Sequence, residues 1–226
     1  MKGTLYGVGV GPGDPELLTV KAVRAISQCD VVAVPDGRSG DQIALEIASP
    51  YIGGKEVLSL VLPMTRDQAE LEAYRIQAAE QLCARLDEGK SIAFLTLGDP
   101  TVYSTYGYLH KLVAERGYPA EIVPGIPSFC AAAAALGTIL CEGEEALHIL
   151  PASYPDTGEA LSLGGTKVLM KSGKKLGEVL AQLEERDLLS GACLAERVGL
   201  PGQRLKAGLD GSEESGYFTV VIVKEK

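Results

Sequence analysis

Apolar and polar positions follow two regimes along this chain. Short apolar runs closed by glycine or proline alternate with longer segments whose apolar residues recur every three or four positions. "TLYGVGV" (residues 4–10) is the first run, β-branched and closed by glycines, and predicts a strand. "PELLTVKAVRAISQC" (15–29) carries Leu18, Val23 and Ile26 at helical spacings, with Pro15 suited to a first turn. "DVVAVP" (30–35) reads as a strand covered on both faces. A strand–helix–strand opening predicts a parallel sheet with right-handed crossovers.

The alternation continues. "QIALEIASPYI" predicts a short helix and "KEVLSLVLP" a strand. Residues 66–89 form a long amphipathic helix ended by a glycine. "SIAFLTLGDP" is a buried strand with a turn, "STYGYLHKLVAERG" a helix and "AEIVPG" a short strand. After Pro127, "FCAAAAALGTIL" is Ala-rich and helical. Beyond it "EALHILPASY", "KVLMKSG", "GACLAERVGLPGQRLKAG" and "GYFTVVIVKEK" each carry a strand, and "KKLGEVLAQLEERDL" a helix. Hairpins are expected at "SGAC" and "GLDGSEESG". The predicted class is α/β with two α/β domains, over 1–124 and 125–226.

Charge and cysteine content narrow the function classes. A net charge of −9 argues against a partner held through nucleic-acid phosphates. The five cysteines are an odd number, widely spaced, with no C-x-x-C and only two histidines to help them. That argues against a zinc site and for small buried apolar residues in a reducing cytosol. The longest helix-compatible apolar stretch, 129–140, falls short of the roughly 20 residues a membrane span needs. No signal peptide is legible, so a cytoplasmic protein is expected.

The candidate chemistry begins in "YGVGVGPGDPELLT". A dinucleotide loop needs G-x-G-x-x-G between strand and helix. Here the third slot holds Pro12 or Asp14, depending on the starting glycine. Aspartate repels a pyrophosphate, and proline removes a donor N–H. A nicotinamide or flavin enzyme is a weak alternative, although Asp36 stands near the ribose-binding distance. The plain structural reading is a tight turn in which Asp14 caps the following helix. The functional reading is close approach of a flat ligand to glycine backbone.

A second loop, "LTLGDPTVYSTYGYL" (95–109), and a third, "VPGIPS" (123–128), also follow strands. In such sheets ligands collect at the carboxyl ends of strands. The three motifs, in this order and at these spacings, resemble the tetrapyrrole (corrin/porphyrin) methyltransferases over residues 4–223. Within that family "GDPTVYSTYGYL" and "VPGIPSFCAAAA" are most like the precorrin-2 C-20 methyltransferases. The resemblance implies S-adenosylmethionine as cofactor, leaving as S-adenosylhomocysteine. It implies a homodimer, with the cofactor in the cleft between two α/β domains. It implies cofactor contacts at Pro12, Leu97, Gly98, Asp99, Val102, Tyr103, Pro127 and Ser128. Met170 would pack on the adenine. Ala195, Glu196 and Arg197, with Phe218 and Thr219 in the strand from Tyr217, would meet adenine and ribose through backbone groups. Several of these have plain readings too: Met170 as core filler, Asp99 as a turn former.

Methyl transfer from a sulfonium needs alignment and a dry site, not a protein nucleophile. The chain offers no Ser–His–Asp or Cys–His set. A proton must leave the ring carbon afterwards. Asp14, Tyr106 and His110 are candidate acceptors, none compelling, and His110 also reads as a surface or dimer residue. The substrate expected is precorrin-2 or its cobalt form, with any metal belonging to it. Gly11, Gly13, Asp14 and Arg38 are its candidate contacts. Arg38 would bind a carboxylate, with Lys21, Arg24 and Arg66 as other possibilities. Other readings are methylation at another ring position, a family member acting on RNA or diphthamide, and a nucleotide-binding module without chemistry.

Overall fold

The structure is a computed structural model. It describes residues 2–36, 39–63, 65, 67–152, 157–214, 216 and 218–224, without side chains at 39–41, 157 and 174. The chain divides into two compact units, Met1–Pro127 and Ser128–Lys226.

The first unit is built as the alternation predicts. Its strands are β1 (Leu5–Gly9), β2 (Val31–Pro35), β3 (Glu56–Leu60), β4 (Ile92–Thr96) and β5 (Ala120–Val123). They form one sheet in the order β3-β2-β4-β1-β5, parallel at every pairing. All carboxyl ends therefore share one edge. The helices between are α1 (Val20–Gln28), α2 (Ser39–Ile52), α3 (Gln68–Asp87) and α4 (Tyr106–Glu115). β2 is buried at all five positions, as a strand with both faces covered must be. On one face Leu82 and Leu86 of α3 and Leu109 and Val113 of α4 pack with Leu5, Ile92 and Phe94.

The segment expected as one helix over 15–29 is two pieces. A short 3-10 turn, Pro15–Leu17, comes first, and Asp14 caps it by accepting from the Glu16 N–H at 2.9 Å. Thr19 then caps α1, its Oγ1 accepting from Ala22 N–H at 3.0 Å. Two capping residues five apart break the helix where periodicity alone runs through.

The second unit contains α5 (Ser128–Leu136), β6 (Leu147–Pro151), α6 (Thr157–Ala160), β7 (Thr166–Met170), α7 (Leu176–Glu184), β8 (Ala192–Glu196), β9 (Arg204–Ala207) and β10 (Thr219–Val223). Its sheet runs β6-β7-β10-β8-β9, with β6 parallel to β7 and the other pairings antiparallel. Neither expected hairpin exists. "SGAC" is a 3-10 turn, Leu189–Gly191, entering β8. "GLDGSEESG" joins β9 to β10, which are separated by β8. The real hairpin pairs β8 with β9, a short and largely exposed edge strand that its polar sequence concealed. The cysteines also divide: Cys29 and Cys83 are buried, whereas Cys130 and Cys141 are exposed. Burial pushes the Cys29 thiol up to about 12, so it stays protonated.

One glycine of the first motif is fixed by core packing. A Cβ on Gly7 would lie within the ring of Tyr106, which is fully buried against Phe94. Gly7→Ala is expected to destabilise the protein by about 1–3 kcal/mol. The penalty should shrink in a Tyr106→Leu background, and urea unfolding of the double-mutant cycle measures that coupling.

Candidate functional site

Three loops leave the carboxyl edge of the first sheet from the adjacent strands β4, β1 and β5: residues 10–19 after β1, 97–105 after β4 and 124–128 after β5. The structure fastens the first two together by backbone. Gly98 N–H donates to Gly11 O at 2.7 Å, and Gly11 N–H donates back to Gly98 O at 3.3 Å, a one-rung antiparallel bridge. The third loop is fastened by a side chain. Asp99 Oδ2 accepts from Gly125 N–H at 2.9 Å, while Oδ1 accepts from the Thr101 N–H at 2.8 Å and from its hydroxyl. Asp99 is only 8% exposed. Both its oxygens are committed to protein donors, so the carboxylate shapes the rim.

The backbones in this knot touch. A Cβ on Gly9 would stand 2.5 Å from Gly125 N and 2.7 Å from Gly98 O. A Cβ on Gly125 would stand 2.8 Å from Gly9 Cα. Glycine at 9 and 125 is thus required by the protein's own loops, although the first motif suggested that its glycines make room for a ligand. Thr19 Oγ1 reaches Pro124 O at 3.5 Å, drawing the start of α1 to the same place.

Gly11, Pro12 and Gly13 are buried, with Asp14 half-buried beside them. Leu97 and Val102 are half-buried, as are Pro127 and Ser128, which opens α5. Tyr103 is 46% exposed and holds φ +50°. A left-handed tyrosine costs about 1–2 kcal/mol and persists only where surroundings enforce it.

In the second unit, Met170 ends β7, Glu196 ends β8 and Thr219 begins β10. Thr219 pairs with Glu196, and Val220 with both Ala195 and Met170. Met170, Ala195, Glu196, Phe218 and Thr219 thus gather at one end of three adjacent strands. Lys171 (φ +60°) and Arg197 (φ +52°) follow β7 and β8, so two more left-handed non-glycine residues stand at strand ends. The Glu196 carboxylate is engaged: Oε1 accepts from Gly216 N–H at 2.6 Å and Oε2 pairs with Arg204 at 2.8 Å. Ala195 and Thr219 are buried, leaving their contributions to backbone.

Other expected residues stand elsewhere. Tyr106 is fully buried, and its hydroxyl donates to Glu121 O at 2.9 Å and lies 3.1 Å from His110 Nδ1. Burial also pushes its phenol up, out of reach as a proton acceptor. His110 is its half-buried neighbour, removed from the rim by the same contact. Lys21 and Arg24 line a groove of about 540 Å³ beside β1 and β5. That groove runs down to Cys29 and Ser91 at the amino ends of β2 and β4, away from the three loops. Arg38, Arg66 and Tyr217 lie outside the described residues.

The donor set of the knot is chemically one-sided. Residues 9–19, 97–105 and 124–128 contain Asp14, Glu16 and Asp99 and no lysine or arginine. Such a cradle disfavours phosphates and suits a neutral or cationic ligand.

Comparison with known proteins agrees with that chemistry. The model of the Tetrapyrrole (Corrin/Porphyrin) Methylases matches residues 4–210. The chain belongs to the tetrapyrrole methylases. This methylase is 38% identical to a probable cobalt-precorrin-2 C(20)-methyltransferase of Methanocaldococcus jannaschii, over 97% of this chain and 95% of that one. It is also 38% identical to the cobalamin biosynthesis protein CobIJ of Mycobacterium bovis, over 98% of this chain. There it spans about half of the relative, 46% of its length. Among solved structures it is similar to the uroporphyrin-III C-methyl transferase of Thermus thermophilus complexed with S-adenyl homocysteine. The TM-score is 0.73, with 25% identity, covering 99% and 98% of the two chains.

In this methylase the buried Asp99 latch holds two loops to one geometry. Asp99→Asn places an amide N–H₂ where an acceptor is required and leaves one buried donor unmatched. It is expected to cost about 1–3 kcal/mol of stability in urea unfolding.

Proposed function

We propose that this chain is an S-adenosylmethionine-dependent C-methyltransferase that acts on precorrin-2 or its cobalt form at C-20, in cobalamin biosynthesis. The observation that carries the cofactor half is the cation-free glycine knot at the carboxyl edge of the first sheet. A sulfonium is accepted there and a pyrophosphate is not. The likeness to a cobalt-precorrin-2 relative over nearly its whole length supports the substrate half.

The residues present fit such a ligand. Leu97, Val102 and the exposed Tyr103 border the knot and supply apolar and aromatic surface. The family resemblance would add Met170, Ala195 and Thr219 as contacts for the nucleoside, and in the second unit these stand together at one end of β7, β8 and β10. When bound, S-adenosylmethionine supplies a methyl group already activated on sulfur. The protein then contributes placement, which is worth up to about 7–11 kcal/mol of barrier in well-oriented systems. The Asp99–Gly125 and Gly11–Gly98 bonds keep the loops from rearranging as ligands arrive. Asp14 is the remaining candidate for accepting the departing proton. Its Oδ1 caps the 3-10 turn, and its half-exposed position keeps the carboxylate open to water. The family resemblance extends the proposal to a homodimer in the cytoplasm. Among the described residues, no helix is long and apolar enough to cross a membrane.

Calorimetric titration tests the ligand class. S-adenosylhomocysteine is expected to bind, and NAD and ATP are not; binding of NAD alone refutes the proposal. Incubation with S-adenosylmethionine and each form of precorrin-2 should yield a product one methyl heavier, with NMR placing that methyl at C-20. Tyr103→Gly relieves the left-handed strain while removing the ring. It should leave stability within about 1 kcal/mol yet weaken S-adenosylhomocysteine binding about tenfold.

A further inference from the structure

The proposed substrate is rich in carboxylates, and this protein carries a net charge of −9. Long-range attraction is therefore absent, and local cations must hold the ring. Of the cations considered from the sequence, Lys21 and Arg24 stand in the groove that leads away from the loop-bearing edge. A different cation stands at that edge.

A cavity of about 270 Å³ opens there. It is lined by Leu62, Pro63, Thr65, Leu71, Tyr74, Arg75 and Thr105. Leu62, Pro63 and Thr65 follow the carboxyl end of β3, and Thr105 closes the loop that Asp99 anchors after β4. The cavity thus shares the edge occupied by the glycine knot, on the β3 side of it. Its walls suit a short alkyl arm: Leu62, Pro63 and Leu71 are apolar, and Thr65, Tyr74 and Thr105 bring hydroxyl groups.

Arg75 is the charged group on its lining. Its side chain is 15% exposed although it sits on the surface helix α3. The guanidinium sits over the ring of Tyr108 from α4, its central carbon 3.5 Å from the centroid. A cation held over an aromatic face is positioned by it, and its N–H groups remain donors for a carboxylate. Its carboxylate neighbour is Glu72, at 3.6 Å and itself 52% exposed. A pair of that length and exposure is weak and exchanges for a better-placed carboxylate. Tyr108 is 48% exposed, so the pair stands where a ligand can reach it.

We propose that Arg75, oriented by Tyr108, binds one peripheral carboxylate of the tetrapyrrole, with its alkyl arm in the Leu62–Pro63–Leu71 cavity. This rests on the function proposed above and names a specificity contact for it. Arg75 is a binding residue and takes no part in methyl transfer.

The test uses the whole chain and uroporphyrin III, a stable carboxylate-rich porphyrin, followed by fluorescence titration, with S-adenosylhomocysteine binding measured alongside. Arg75→Gln should weaken porphyrin binding about tenfold or more, with S-adenosylhomocysteine binding and thermal stability unchanged. Arg75→Lys should restore part of the loss, and Tyr108→Leu should reproduce part of it. In turnover the same variants should raise KM for precorrin-2 and leave kcat near wild type. Porphyrin binding equal in wild type and Arg75→Gln overturns the inference and leaves the methyltransferase reading intact. If wild type binds S-adenosylhomocysteine but neither porphyrin nor precorrin-2, the substrate half of that reading falls and the inference falls with it.

Discussion

The carboxylate of Asp99 is where the first unit is decided. A buried acid must find donors or lose its charge, and this one finds them on two different loops. Thr101 satisfies one oxygen within the same turn, and Gly125 satisfies the other from 26 residues away. That reach ties the loop after β5 to the loop after β4. The Gly11–Gly98 rung completes the arrangement, so three loops are joined in one rim. Local strain is tolerated because the rim is over-determined. Tyr103 keeps a left-handed backbone directly beyond the Asp99–Val102 turn.

The same constraint bears on chemistry. A rim made from backbone groups and hydrogen-bonded acids presents no positive charge to a ligand, and its bonds are made within the protein. That suits a reaction whose reagent comes already activated and whose rate depends on alignment. The cationic recognition a carboxylate-rich ring needs is placed aside from the knot, on α3, where Arg75 can be held without adding positive charge beside a sulfonium.

Much of this was legible in the residues, for identifiable reasons. Continuous apolar runs such as "DVVAVP", short, rich in valine and closed by proline, fit strands covered on both faces, so the parallel sheet was legible in their alternation with helical segments. β9 was hidden because an exposed edge strand such as "RLKA" needs no apolar alternation. The break before α1 was hidden because capping by both Asp14 and Thr19 is a choice between adjacent turn formers that periodicity does not make. The motif spacing brought out the loops, but not what their glycines do. Gly7 is explained only by the ring of Tyr106, and Gly9 only by the backbone of Gly125, each a partner distant in sequence. Tyr106 looked like chemistry because it lies within the second motif, yet it faces the core. Arg75 gave no signal, since a cation on a long amphipathic helix reads as an ordinary solvated charge until Tyr108 and the cavity are seen beside it.

The strand order carries a consequence for biosynthesis. β1, first to be made, lies between β4 and β5, so both its neighbours are encoded some 85 to 120 residues later. During translation it must wait, with both edges unpaired, until most of the first unit has left the ribosome. Contacts of such high sequence separation are slow to form and leave sticky intermediates exposed. The rim of three loops is therefore the last part of that unit to be completed on a nascent chain, and a truncation before Val123 forfeits its third loop and the Asp99–Gly125 tether.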